Sequence, residues 1–171
     1  PTAKAWIQAL NAANHLGFSD WRLPTVRPQN GTAFQLNGSE LESHTGRLDL
    51  GHNISNAGTR YAGSKASELP FLFYNQLGGV GEYDIAGVKR ADLSRNAALP
   101  YFRNLAQPAA HWTAEPYGGT GAYAFDFRFG TQYAYDAGSW RFAVLVVRDG
   151  DVGGGTGGGG GGGTVADACQ P

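Results

Sequence analysis

The chain has 171 residues, and 13 Lys and Arg against 14 Asp and Glu give a formal net charge of -1. A nucleic-acid binder would normally show a basic patch and none is visible in the sequence, and no block of like charge suggests an acidic or basic tail. A single cysteine, Cys169, excludes an internal disulfide and any multi-cysteine metal site, and no apolar run approaches the ~20 residues of a membrane helix.

The length suits one domain with a real core. Four Trp, eight Tyr and nine Phe beside 27 Gly fit a loop-rich fold with short strands better than a helical bundle. There is no methionine, so a processed, trimmed or incompletely represented chain is expected, and removal of a signal peptide would explain it. The organisation read from composition is a domain over residues 1–150 and a glycine-rich tail over 151–171.

Thr2 can cap a helix running to about Asn14, with Trp6, Ile7, Leu10 and Ala13 as its apolar stripe and Gly17 as a left-handed stop. Asp20, Trp21, Arg22, Leu23 and Pro24 follow. The proline forces an extended chain, so Trp21 and Leu23 turn to one side, with Asp20 and Arg22 able to pair or to satisfy backbone. These five read as a structural lock.

Residues 26–66 carry turn signals at Asn30-Gly31, Asn37-Gly38, Asn56-Ala57-Gly58 and Ala62-Gly63-Ser64. A short helical turn is expected from Ser39, with Leu41 inward. His44 and His52 lack a third ligand and read as loop histidines bonded to backbone. Ser67 is expected to cap a second helix ending at Gly78-Gly79, with Leu69, Phe73 and Leu77 on one buried face. Residues 79–110 predict an irregular excursion with turns at Pro100 and Pro108, anchored by Tyr101, Phe102 and Leu105.

The last third is the β region. His111–Ala114 reads as a strand broken at Glu115-Pro116. Tyr123, Phe125, Phe127 and Phe129 alternate with Ala122, Ala124, Asp126 and Arg128, the period of a strand. A loop through Tyr133, Tyr135, Asp136 and Gly138 then leads to Trp140–Arg148, apolar on both faces and so expected at the sheet centre. From Gly153 the glycine run reads as a flexible linker, or as an extended strand packed in a dense assembly.

Gly17-Phe18-Ser19-Asp20-Trp21-Arg22-Leu23-Pro24-Thr25, then Ser39-Glu40-Leu41, closely resembles the signature of the Lcl C-terminal domain-like family, named for the C-terminal domain of bacterial collagen-like adhesins. His111-Trp112-Thr113, Ala122–Phe127 with Gly130, and Ala143–Arg148 resemble its later blocks. The stretch from Leu48 to Gly78 is similar to an exported, envelope-associated subgroup. The resemblance implies an α+β, C-type-lectin-like fold, with two helices packed on a small twisted antiparallel sheet with long loops. It also implies an extracellular or cell-surface setting and an association with adhesion and sulfated polysaccharides. The chain departs from the pattern at Asn14 and Leu145, where members often carry Cys or Arg, and in its glycine tail.

Two functions stay open. One is a non-enzymatic extracellular adhesion or recognition module of the bacterial surface or matrix, with polysaccharide as the ligand class. Aromatic faces with a few polar groups hold sugars, and Trp112, Tyr117, Asp126, Arg128, Tyr133 and Tyr135 are the candidates. Glu115 joins them because Glu115-Pro116 resembles the Glu-Pro pair of calcium-dependent lectins, although Tyr117 follows and no Trp-Asn-Asp partner does. The other is a structural subunit that self-associates into a filament, sheath or matrix. Enzymatic activity is not expected: there is no G-x-S-x-G or H-E-x-x-H, and Glu68, Glu82, Asp84 and Asp92 are scattered. No cofactor or metal is called for.

Overall fold

A computed structural model describes residues 2–99, 102 and 110–149. The glycine run, Cys169, Pro100, Tyr101, Leu105 and Pro108 lie outside the described residues. The chain forms two compact units, one from the stretch up to Leu23 together with the segment from Val144, the other Pro24–Ala143. The class is α+β, with helices α1 (Ala3–Ala12), α2 (Glu40–His44) and α3 (Glu68–Phe71). Strands β1 (Gly51–His52), β2 (Ala110–Tyr117), β3 (Gly121–Asp126), β4 (Thr131–Asp136) and β5 (Ala143–Val144) take the order β1-β4-β3-β2-β5.

In the smaller unit Thr2 caps α1 by accepting from the Ala5 amide. Ile7 and Trp21 are buried with Val146, and Trp6, Leu10, Phe18, Leu23 and Val144 pack against them. Ala13, expected on that stripe, is exposed. Asn14, Leu16 and Gly17 all take positive φ, so the chain reverses over several residues where one glycine was expected to suffice. Arg22 and Val147 exchange backbone hydrogen bonds at 2.8 and 2.9 Å. Arg22 satisfies backbone, donating to the Leu23 carbonyl at 3.1 Å. Asp20 accepts from Arg148 Nε at 3.0 Å, and Arg22 pairs with Asp149. Arg148 also lies 3.7 Å over the Phe18 ring, so the lock is closed by the returning segment.

In the larger unit Ser39 caps α2 through a reciprocal capping box with Glu42. Leu41, expected inward, is 57% exposed, because a single helical turn held by its cap leaves that position facing out. Ser67 precedes α3 without a side-chain cap bond, and the helix widens into a π turn over Leu72–Gln76. Leu69, Phe73 and Leu77 are buried as their spacing predicts. Phe73 meets Phe125 and Phe127 at 5.4 and 5.9 Å between ring centres, and this aromatic contact seats the helical segment on the sheet.

The loops are tied from inside. Asn53 is fully buried with φ 60°, and its side-chain amide donates among the carbonyls of His44, Tyr83 and Asp84 at 2.7 to 3.1 Å. Its own N–H donates to the Tyr74 hydroxyl, which in turn donates to the Gly130 carbonyl. The two hydrogens of one amide are thus shared among three carbonyls, that of His44 at the end of α2 and those of Tyr83 and Asp84 in the loop.

Four strand expectations are corrected. The alternation read through Phe129 is strand only to Asp126, and residues 127–130 form a turn in which the Gly130 amide bonds the Asp126 carbonyl at 2.8 Å. β2 is not broken at Glu115-Pro116 but runs on to Tyr117, with its register to β3 shifting between Trp112 and Pro116. Proline offers no ladder donor, and the Ala114 amide bonds instead to the Pro24 carbonyl at 2.8 Å. Residues 131–136, expected as loop, form β4, paired to β3 along its length. Trp140–Arg148 is not a central strand. Only Ala143–Val144 is strand, and it ends the sheet order.

Candidate functional site

Alternation along β3 sends Tyr123 and Phe125 into the core and Ala122, Ala124 and Asp126 to the opposite face. Register places Ala124 between Trp112 on β2 and Tyr133 on β4, and Ala122 beside Tyr135. The rings therefore pack over these two methyl groups, and Ala124 is itself buried.

Those rings touch in sequence. Trp112 lies 4.8 Å from Phe142, Phe142 meets the edge of Tyr135 at 4.8 Å, and Tyr135 lies 6.4 Å from Tyr133. Trp140 completes the face, 5.5 Å from Tyr135 and 5.6 Å from Phe142. It is 51% exposed and Tyr133 37%. Asp136 sets the turn that brings Trp140 back: its carboxylate accepts from the Gly138 amide and the Ser139 hydroxyl, and its carbonyl from the Trp140 amide. Hydrogen bonds, chiefly from Ser139, hold Asp136 below its ordinary pKa, so the turn keeps an anionic anchor. Burial, with Asp126 and Tyr133 nearby, raises the Tyr135 phenol.

Tyr133 also walls an open groove of about 330 Å³, lined further by Leu36, Asn37, Ser39, Glu40, Ser43 and Leu48. That volume sits at the small end of ligand pockets. Apolar side chains floor it, and the cap region of α2 supplies hydroxyl, amide and carboxylate groups. Behind Tyr133 stands His52, 6.4 Å away edge-on, with Nδ1 3.3 Å from the Phe129 carbonyl. Burial lowers the His52 pKa, favouring a neutral ring. His44 stacks on Tyr83 at 3.5 Å.

Of the residues singled out from sequence, Trp112, Tyr133 and Tyr135 come together on this face. Tyr117 lies on the other side, its ring edge-on to buried Tyr123 at 5.3 Å. The Glu115 carboxylate accepts from the Val26 amide at 2.5 Å, and burial raises its pKa. Asp126 closes the β3–β4 turn by accepting from the Arg128 and Phe129 amides, and burial raises its pKa too. The Arg128 guanidinium lies 4.1 Å over Phe129. Among the described residues no three His, Cys, Asp or Glu side chains converge as metal ligands. Sequence reasoning missed Trp140 and Phe142 as site residues. The available signal was the Asp136–Gly138 turn, which folds an alternating Trp-Arg-Phe back over β4.

A face of five linked rings, with Trp140 and Tyr133 exposed on it and a polar-rimmed groove at one end, can stack flat ligands with apolar faces and bond their hydroxyls. Comparison with protein-family models, with curated proteins and with solved structures finds no match to this chain.

Proposed function

We propose that the chain is a non-enzymatic extracellular recognition module that holds polysaccharide against the outer face of β2, β3 and β4. The observation that carries this is the contiguous ring set Trp112–Phe142–Trp140–Tyr135–Tyr133 over Ala122 and Ala124, with Trp140 half in solvent. A linked apolar patch at the surface marks an interaction site more often than chance exposure does. Tyr and Trp offer rigid, amphipathic contact area at small entropic cost, which suits the alternating apolar faces and hydroxyl rims of pyranose rings. The motif resemblance supports a C-type-lectin-like fold of the Lcl C-terminal domain-like kind and a cell-surface setting, and it rests on the motif residues themselves.

The test is glycan-array screening followed by titration of the best polysaccharide. Trp140→Ala should weaken binding by about tenfold or more, the scale of losing a stacked aromatic contact at a binding centre. Tyr117→Ala, on the opposite face, should leave affinity unchanged. Equal binding by wild type and Trp140→Ala sinks the proposal.

A second reading, a self-associating structural subunit, draws support from another surface. Leu41, Ile85 and Val88 are 57%, 46% and 62% exposed, and a side chain on Gly87 would collide with Leu41, so the 84–88 turn lies against α2. Light scattering and negative-stain imaging would detect assemblies, and Val88→Lys should disperse them.

A further inference from the structure

We propose that Asn37-Gly38 is a site of spontaneous succinimide formation that places a new carboxylate on the rim of the groove, while the identical dipeptide Asn30-Gly31 is held inert by the fold. In this reaction the Gly backbone nitrogen attacks the Asn side-chain carbonyl carbon. A C–N bond forms, and the side-chain nitrogen leaves as ammonia with the amide proton. Water then opens the imide at either carbonyl, giving aspartate or isoaspartate. It needs no catalyst and no redox partner. It needs only a free electrophile and a free nucleophile.

At Asn30-Gly31 both are engaged. Asn30 Oδ1 accepts from the Thr32 amide at 2.9 Å, the Thr32 hydroxyl at 3.1 Å and the Ala33 amide at 3.1 Å. The Gly31 amide donates to the Pro28 carbonyl at 3.0 Å. For the Gly31 nitrogen to attack, it must give up its own bond and the Asn30 side chain must rotate out of three more.

At Asn37-Gly38 neither is engaged. Asn37 is exposed and outside any helix or strand. Among the described residues its side chain makes no hydrogen bond, and the Gly38 amide donates to no backbone or side-chain acceptor. The next residue, Ser39, is fixed as the N-cap of α2, so the free segment stops at the dipeptide.

The product matters because of where it forms. Asn37, Ser39, Glu40 and Tyr133 share the groove, so a carboxylate at position 37 joins Glu40 there. Isoaspartate would also add one backbone atom two residues before Ser39, the N-cap of α2. The groove would become more acidic with the age of the molecule and would repel anionic glycans. That last consequence rests on the polysaccharide reading; the modification itself does not.

The experiment incubates the full chain at pH 7.4 and 37 °C, natively and in urea, and follows the two sites by peptide mapping with fragmentation that separates isoaspartate from aspartate. In urea both sites should convert at similar rates. In the native protein position 37 should keep that rate, and position 30 should be slower by at least about tenfold, the factor given by about 1.4 kcal/mol of lost hydrogen bonding. Asn37→Gln should abolish the early product and leave position 30 unchanged. Equal native rates, or faster conversion at Asn30, overturn the proposal. Glycan titration of aged protein against Asn37→Asp is scored separately, so a protein that binds no glycan leaves the mass-spectrometric result standing.

Discussion

Asn11 and Trp21 exchange two hydrogen bonds: the Asn11 side-chain amide donates to the Trp21 carbonyl at 2.9 Å, and its oxygen accepts from the Trp21 amide at 2.8 Å. A helix side chain thereby does for Trp21 what a neighbouring strand would do. The indole N–H is met separately by the His15 carbonyl. Asn11→Ala should strand both backbone groups of a buried residue and cost about 2–4 kcal/mol. Urea titration should show a lower midpoint at unchanged slope. Asn11→Asp keeps the acceptor but sets a carboxylate oxygen against the Trp21 carbonyl, so it too should destabilise.

His111 is buried beside Phe127, and its Nδ1 has no partner among the described residues. Burial pulls its pKa down to about 4 from 6.5. Above pH 6.5 the ring is neutral in folded and unfolded chains alike. As pH falls below 6.5 the unfolded chain takes the proton first, so stability declines until about pH 4 and then levels. The full loss is about 3 kcal/mol. Denaturant melts from pH 7.5 to 3.5 should show this decline, and His111→Leu should flatten much of it.

Gly130 has φ 63°, and a Cβ there would sit 2.6 Å from both Phe73 Cε1 and the Tyr74 hydroxyl. Gly130→Ala therefore combines backbone strain with overpacking and should cost roughly 2–4 kcal/mol. Tyr74→Phe keeps the packing but leaves the Gly130 carbonyl and the Asn53 amide without their shared hydroxyl, for about 1–3 kcal/mol. The two sites contact each other, so the double variant should cost less than the sum. Thermal melts of the three variants decide this.

Ser39→Ala removes the α2 cap and should cost about 1 kcal/mol. Because the same turn walls the groove beside Tyr133, chemical shifts at Tyr133 should move with it, while those of Trp112 should not.

Sequence pattern revealed α1 and its Thr2 cap, the Leu69–Phe73–Leu77 face and the alternation of β3 as far as Asp126, because in each apolar side chains face inward, and the Ser39 turn through its capping residues alone. β4 hides because it inverts that rule. Its buried Gln132 spends its amide on the Asp49 carbonyl, while Tyr133 on the same strand faces out. Residues 140–148 mislead in the opposite sense: Leu145, Val146 and Val147 are buried, yet the ladder covers only Ala143–Val144. The aromatic face was half legible. Trp112, Tyr133 and Tyr135 stood out as aromatic residues near loops, but only the register of β2, β3 and β4 could align them and bring Trp140 alongside.

Between residues 26 and 98 the chain spends few residues in regular helix or strand, so this stretch would contribute a far-ultraviolet signal like that of a poorly ordered polypeptide. The Asn53 tether implies otherwise. Stretches that are distant in sequence hang from one interior amide, so they should release their protected protons together, at the rate of a single cooperative opening. Hydrogen exchange would then report a rigid body where dichroism reports coil, and Asn53→Ala would turn that one slow phase into several fast ones.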